Sequence, residues 1–350
     1  MKKLMSLALA LVLALSLTAC GGSSSGSSSN TPATQPAQTT EPAQTTTPEP
    51  AAPASNWPEK EITIIQPWSL GGGPDVITRQ IASYSDKILG VPMIVENHTG
   101  GSGTIGMNDF LDAADDGYTL FCCNGPLFSL TPSFIDVDYT IDDINPLVGI
   151  RITEFVVLTN AKSGITDIQG LIDYANAGHT ITYATTGGPG NDSWTMITAL
   201  FKTLGIPCEA VPYDGGQEAI NALVGGHVDV AAGSPPVYRD YVKSGELNCI
   251  GTFIPEGIDV DGIGHIASFK DQGIDVEFTG MDYFAVRSTV DAEKQAILKD
   301  FVLQVYADPD FQKFMADMGM APWGADGDEI LSMVEAQTEA MTKYIPLVQG

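Results

Sequence analysis

Residues 61–75, EITIIQPWSLGGGPD, run from a β-rich segment through three consecutive glycines into a helical stretch at 76–89. No other feature restricts the fold of this chain so strongly. A strand that turns through glycine into a helix start leaves backbone N–H groups without intrahelical partners, and the helix dipole adds partial positive charge there. Such a turn is a ready anion site, and glycine lets a ligand come close to the backbone. A tight turn that binds nothing satisfies the same pattern. The device recurs, however, at 183–193 (YATTGGPGNDS, with Asp192 or Ser193 as helix cap) and at 211–217 (VPYDGGQ). Three copies suggest helix N-termini converging on one small ligand.

The rest of the chain fits that reading. β-rich runs fall at 61–66, 93–96, 118–123, 154–159, 180–185, 208–212, 228–232, 248–253 and 277–287. Amphipathic helical segments separate most of them, at 76–89, 105–114, 168–176, 193–204, 216–224 and 236–244, and three more close the chain near 292–306, 309–318 and 328–344. This alternation predicts an α/β fold with mixed sheets flanked by helices. Ligands of such folds sit at the C-terminal ends of strands.

Residues 1–20 carry Lys2 and Lys3, an apolar run at 4–17, and LTAC before Gly21. The run is too short for a membrane span and reads as an export signal. Its ending resembles the bacterial lipobox, which implies lipidation of Cys20 and a membrane-anchored protein. Residues 21–56 are Ser-, Thr- and Pro-rich without an aromatic, the composition of a disordered tether. GSSSG at 22–26 matches G-x-S-x-G but lacks the strand–turn–helix setting of a nucleophile.

With 43 acidic and 16 basic residues, a net charge of −27, nucleic acid is excluded as a partner. Of the four arginines, Arg79, Arg151, Arg239 and Arg287, none lies in a glycine loop, so an anion there is expected on N–H groups and hydroxyls. Cys122, Cys123, Cys208 and Cys249 form no C-x-x-C pair and the four histidines are scattered, so neither metal nor cofactor is expected. Cys122 and Cys123 adjoin in one strand and should face opposite sides of it. Cys208 and Cys249 are read as free thiols, with a bridge as the alternative. GSGTIG at 101–106 matches G-x-G-x-x-G, but residues 97–100 separate it from its strand and no acidic residue ends the next one, so dinucleotide binding is discounted.

Taken together, PWSLGGGPD (67–75), VENHTGGSGTIG (95–106), DDGYTL (115–120), YATTGGPGND (183–192), VPYDGG (211–216) and LVGGHVDV (223–230) resemble, in collinear order, the solute-binding receptors of tripartite tricarboxylate transporters, the Bug family. The resemblance implies a two-lobed fold of the type II periplasmic-binding-protein kind, with a ligand cleft between the lobes. Lobe 1 would comprise 57–159 plus 281–350 and lobe 2 160–280, with crossings near 159–162 and 279–282. It implies no catalysis, but capture of a small carboxylate (or a zwitterionic amino acid) by a monomeric receptor. The solute would pass to a large and a small membrane subunit. Carried over onto this chain, the binding residues are Trp68, Ser69, Gly72, Gly73 and Asp75 from the first loop, Thr186, Gly187 and Gly188 from the second, Tyr213 and Asp214 from the third, and Pro235 beyond. The second loop is one residue longer than the family pattern, Thr195 stands near a common histidine, and Asp214 near a common lysine. The alternative from another class is an exported two-lobed hydrolase or transferase working through Asp75 and Asp214 as paired carboxylates.

Overall fold

The computed structural model describes residues 56–349. The signal segment, Cys20 and the tether expected at 21–56, apart from its last residue, lie outside the described residues. In chain order the first elements are β1 (Ile62–Gln66), α1 (Gly73–Ala82), α2 (Ser85–Ile88), β2 (Met93–Asn97), α3 (Thr104–Asp112), β3 (Thr119–Asn124), α4 (Pro126–Ser129) and β4 (Ile144–Thr153). Then come β5 (Val156–Asn160), α5 (Ile168–Asn176), β6 (Ile181–Thr186), α6 (Asp192–Leu204), β7 (Cys208–Tyr213), α7 (Gly216–Val224), β8 (Val230–Gly233), α8 (Pro235–Lys243), β9 (Leu247–Thr252), β10 (Ile258–Val260) and β11 (Gly264–Ile266). The chain closes with β12 (Gly280–Arg287), α9 (Ala292–Ala307), α10 (Pro309–Asp317) and α11 (Gly327–Gln349).

Two five-stranded sheets share one plan. In the first, ordered β2-β1-β3-β12-β4, the first three strands are parallel and β12 runs antiparallel to both its neighbours. In the second, ordered β7-β6-β8-β5-β9, β6 is parallel to β7 and β8, and β5 is antiparallel to β8 and β9. The first sheet thus takes its fourth strand, β12, from beyond the whole second sheet, whereas the second sheet is built from the contiguous strands β5 to β9. Both sheets are buried on both faces, as helix-covered sheets must be. In β3, Leu120 and Cys122 enter one core and Phe121 and Cys123 the other, so the adjacent cysteines do face opposite ways. In β5, Val156 and Leu158 pack on one side and Val157 on the other.

Three features depart from the expected layout. β4 was not anticipated: Pro146 and Gly149 break its pattern, and it tolerates proline because it is the edge strand, with irregular register against β12. The chain passes from one sheet to the other between Thr153 and Val156, ahead of the expected crossing at 159–162, so the strand given to lobe 1 belongs to the second sheet. The end of the chain is also shared. Ile330 and Val334 of α11 are buried in a core of the first sheet, but Met341, Tyr344 and Val348 enter that of the second, and Tyr344 Oη accepts the Glu277 N–H at 2.9 Å. Assigning all of 281–350 to one lobe is therefore incorrect: an amphipathic pattern gives the buried face of a helix, not the body that it faces. Cys208 and Cys249 are free and sit on strands at opposite edges of the second sheet. With four strand spacings between them, roughly 19 Å, they are far beyond disulfide reach.

Candidate binding cleft

The C-terminal ends of β1, β6, β7 and β8 face one another across the two sheets, and the glycine loops that leave them form a cleft with two chambers. The inner chamber, about 60 Å³, is lined by Trp68, Gly72 and Gly73 of the first loop, by Thr186, Asn191 and Asp192 of the second, and by Gly215 and Gly216 of the third. Its floor is Asn124, Arg151, Thr153 and Asp282 from β3, β4 and β12, with Ser234 at the start of α8. The outer chamber, about 460 Å³, shares Trp68 and Thr186 and adds Ser102, Phe134, Ile135, Gly187, Gly188, Tyr213 and Asp214.

Why the loops make this shape follows from local chemistry. Three helices whose starts line neither chamber are capped by carboxylates: Asp167, Asp291 and Asp308 each accept a first-turn N–H of α5, α9 or α10. At α1 and α7 the N-cap is glycine, Gly72 and Gly215, and no side chain caps the first turn. Both helix starts line the inner chamber, which puts uncapped N-termini and their dipoles on the cavity. α8 begins Ser234-Pro235-Pro236, so it offers the Ser234 hydroxyl in place of N–H donors. α6 is the exception: the Asn191 side chain accepts the Ser193 N–H, and Ser193 Oγ donates to Asn191 and accepts from the Thr186 N–H.

The two lobes are closed on each other. Ser102 Oγ donates to Pro189 O at 3.3 Å and Thr131 Oγ1 to Gly190 O at 2.9 Å, each joining a first-sheet connection to the second loop. Ser102 takes φ +56°, a rare conformation for a residue with a side chain, to make its contact. The first and third loops meet at Ser69 and Gly215, where a Cβ on Gly215 would overlap the Ser69 hydroxyl and come within 2.9 Å of its Cβ. A Cβ on Gly73 would lie 3.1 Å from both terminal nitrogens of Arg151 and 2.9 Å from Ser234 Oγ.

Of the sequence-predicted residues, the structure brings Trp68, Gly72, Gly73 and Thr186 to the inner chamber and Gly187, Gly188, Tyr213 and Asp214 to the outer one. Ser69 lies at the interlobe contact with its Oγ buried and unpartnered. Two are elsewhere. Asp75 is 1% exposed and its carboxylate is engaged inside the first lobe, accepting from Gly71 N and Asn97 Nδ2 at 2.9 and 2.8 Å and pairing with Arg79. It shapes the loop and lines neither chamber, which also separates it from Asp214 as a catalytic partner. Pro235 packs toward Gly319, and Ser234 and Val237 take the chamber position in its place.

The sequence reading missed the floor. Arg151 is 3% exposed and its Nε donates to Asp282 Oδ2 at 2.6 Å, with Thr153 Oγ1 donating to the same oxygen at 3.2 Å. The signal for Arg151 was an arginine inside the apolar strand VGIRIT, which demands a buried partner. Asp192, 6% exposed, has its carboxyl pushed up to about 7, mainly by burial; Asp282 raises it further, while the Ser193 N–H and Arg151 pull it down.

Comparison with known proteins agrees with this geometry. The model of the tripartite tricarboxylate transporter family receptor (TctC) matches residues 77–349. Among relatives, a UPF0065 protein of Cupriavidus necator is 31% identical over 206 residues, covering 58% of this chain and 62% of its own length. Protein BugT of Bordetella pertussis is 30% identical over 209 residues, covering 57% of this chain and 63% of its own. The chain thus spans a little under two thirds of the length of these two relatives. Among solved structures, a Rhodopseudomonas palustris protein with adipate superposes with TM-score 0.77 at 18% identity, over 84% of this chain and 98% of that one. MatC of the same organism, with bound malate, gives 0.74 at 19%, over 83% and 100%. These two likenesses concern the fold, a two-lobed periplasmic-binding-protein architecture. With the family model matching most of its length, the chain belongs to the tripartite tricarboxylate transporter receptor (Bug) family.

Proposed function

We propose that this protein is an extracytoplasmic receptor that captures a small carboxylate by closing its lobes and delivers it to the two membrane subunits of a tripartite transporter. The observation that carries the reading is the pair of uncapped helix N-termini, α1 from one lobe and α7 from the other, on one chamber. Each supplies N–H donors and a positive dipole end to an anion without needing a free arginine. A ligand held by both lobes favours the closed state through contacts that exist only there. The adipate and malate of the two structural neighbours are anions of this class. The binding residues are then Trp68, Gly72, Gly73, Thr186, Gly215, Gly216 and Ser234, with Ser69 closing the gap.

Calorimetry and thermal melts against mono-, di- and tricarboxylates and amino acids test this reading. A true ligand at 100 times its Kd adds about 2.7 kcal/mol to stability and raises Tm by roughly 5–10 °C. If no carboxylate-bearing compound binds, the reading fails.

Residues 1–20 act as a lipoprotein signal in this account, with Cys20 lipidated and the following segment as a tether for a monomeric receptor. Cys20→Ala should move the protein from the membrane fraction to the soluble or unprocessed one. Unchanged fractionation would refute the anchor.

A further inference from the structure

We propose that the floor of the inner chamber recognises an ammonium group, with the Asp192 carboxylate and the Asn124 amide oxygen as its acceptors, so that the solute is an amino acid. The inference rests on the carboxylate reading above and narrows it.

Two independent observations meet in one chamber. Asn124, at the end of β3, is 5% exposed, and its Oδ1 is buried without a hydrogen-bond partner. Asn124 lines the chamber, and an ammonium seated there would supply the donor that its oxygen lacks. Asp192 lines the same chamber; its Oδ1 accepts the Ser193 N–H at 2.8 Å, and its own backbone N–H also bonds the carboxyl. A carboxylate has about four lone-pair sites, so it can still accept from a ligand, and an ammonium has three N–H groups to give.

The charges point the same way. Among the described residues Arg151 is the only cation lining the chamber, and its pairing with Asp282 leaves one more carboxylate than cation there when Asp192 is ionised. Asp282 from β12 and Arg151 from β4 are the charged groups that face Asp192. α1 brings Asp75 and Arg79, paired to each other, and α7, α8 and α11 put no charged side chain into the chamber. A simple carboxylate bound at α1 and α7 would lie beside this negative charge. A zwitterion satisfies both halves: its carboxylate takes the helix N-termini and its ammonium takes Asp192 and Asn124. The outer chamber, with Trp68, Phe134, Ile135, Pro212 and Tyr213 on its walls and Asp214 as its one charge, suits a neutral side chain better than a second carboxylate.

The test compares amino acids with their deaminated isosteres by calorimetry on the wild-type protein: L-leucine with 4-methylpentanoate, L-phenylalanine with 3-phenylpropanoate, L-glutamate with glutarate. At least one amino acid should bind tenfold or more tightly than its isostere. The pH dependence gives a second readout of opposite sign for the two ligand types. An ammonium favours ionised Asp192, whose carboxyl is raised to about 7 in the closed lobes, so amino-acid affinity should rise from pH 6 to pH 8. A plain carboxylate disfavours the ionised form, and its affinity should fall over the same range. Asp192→Asn should abolish both the preference and the pH slope, and Asn124→Leu should reduce the preference. If deaminated acids bind as tightly as amino acids in the wild type, or affinity for the amino acid falls with pH, the inference is wrong although the receptor reading stands. If no carboxylate-bearing compound binds, the receptor reading itself has failed. The wild-type comparison is independent of how the variants fold.

Discussion

Replacing Gly215 with alanine is expected to weaken ligand binding roughly fivefold or more while leaving the fold intact. The backbone there has φ −167°, extended and open to any residue, so alanine causes no local strain. Its Cβ, however, would run into the Ser69 hydroxyl and Cβ, which belong to the other lobe. The clash exists only when the lobes are closed. Overpacking of this size costs about 1–3 kcal/mol. Charged to the closed state alone, it lowers apparent affinity by roughly 5- to 150-fold. The double variant Ser69→Gly/Gly215→Ala removes the obstructing atoms and should recover most of the loss. Calorimetry on the three proteins decides the matter. Equal weakening in the double variant would mean that Gly215 acts through something other than loop contact.

The second large effect concerns stability. Asp282→Ala strands the Arg151 guanidinium, 3% exposed, without its carboxylate. Breaking one side of a buried pair costs about 3–5 kcal/mol, or roughly 10 °C in Tm for a body of this size. Replacing the pair, as in Arg151→Met/Asp282→Leu, should restore much of the melting temperature, because apolar residues of similar volume pay no desolvation cost. β4 and β12 are held against each other at this point, beneath the first loop. If the double variant melts as low as the single one, packing rather than charge pairing dominates the site.

How far the sequence could reach is set by how local each feature is. The three glycine loops are written in short contiguous segments, as strand, glycine and helix start, and the structure gathers members of all three around one cleft, although Asn191 caps α6 in place of the expected Asp192 or Ser193. The alternation in β3 was legible for the same reason, down to the opposite facing of Cys122 and Cys123. The floor was not legible. Asn124, Arg151 and Asp282 come from three strands whose pairing depends on β12 returning to the first sheet after the whole second sheet is built. No local pattern announces that return, nor the early crossing between Thr153 and Val156 that puts β5 in the second sheet, nor the divided packing of α11. Asp75 misled for a chemical reason: an aspartate in the first turn of a helix suits either a ligand or its own loop, and only the positions of Gly71, Arg79 and Asn97 decide for the loop.

If ligand closes the two lobes, small-angle scattering of the purified protein with and without a saturating ligand detects the compaction. The radius of gyration should be smaller in the bound state, with the Gly215→Ala variant staying closer to the free value at the same occupancy. An unchanged radius of gyration in wild-type protein that calorimetry shows to be saturated would contradict ligand-driven closure.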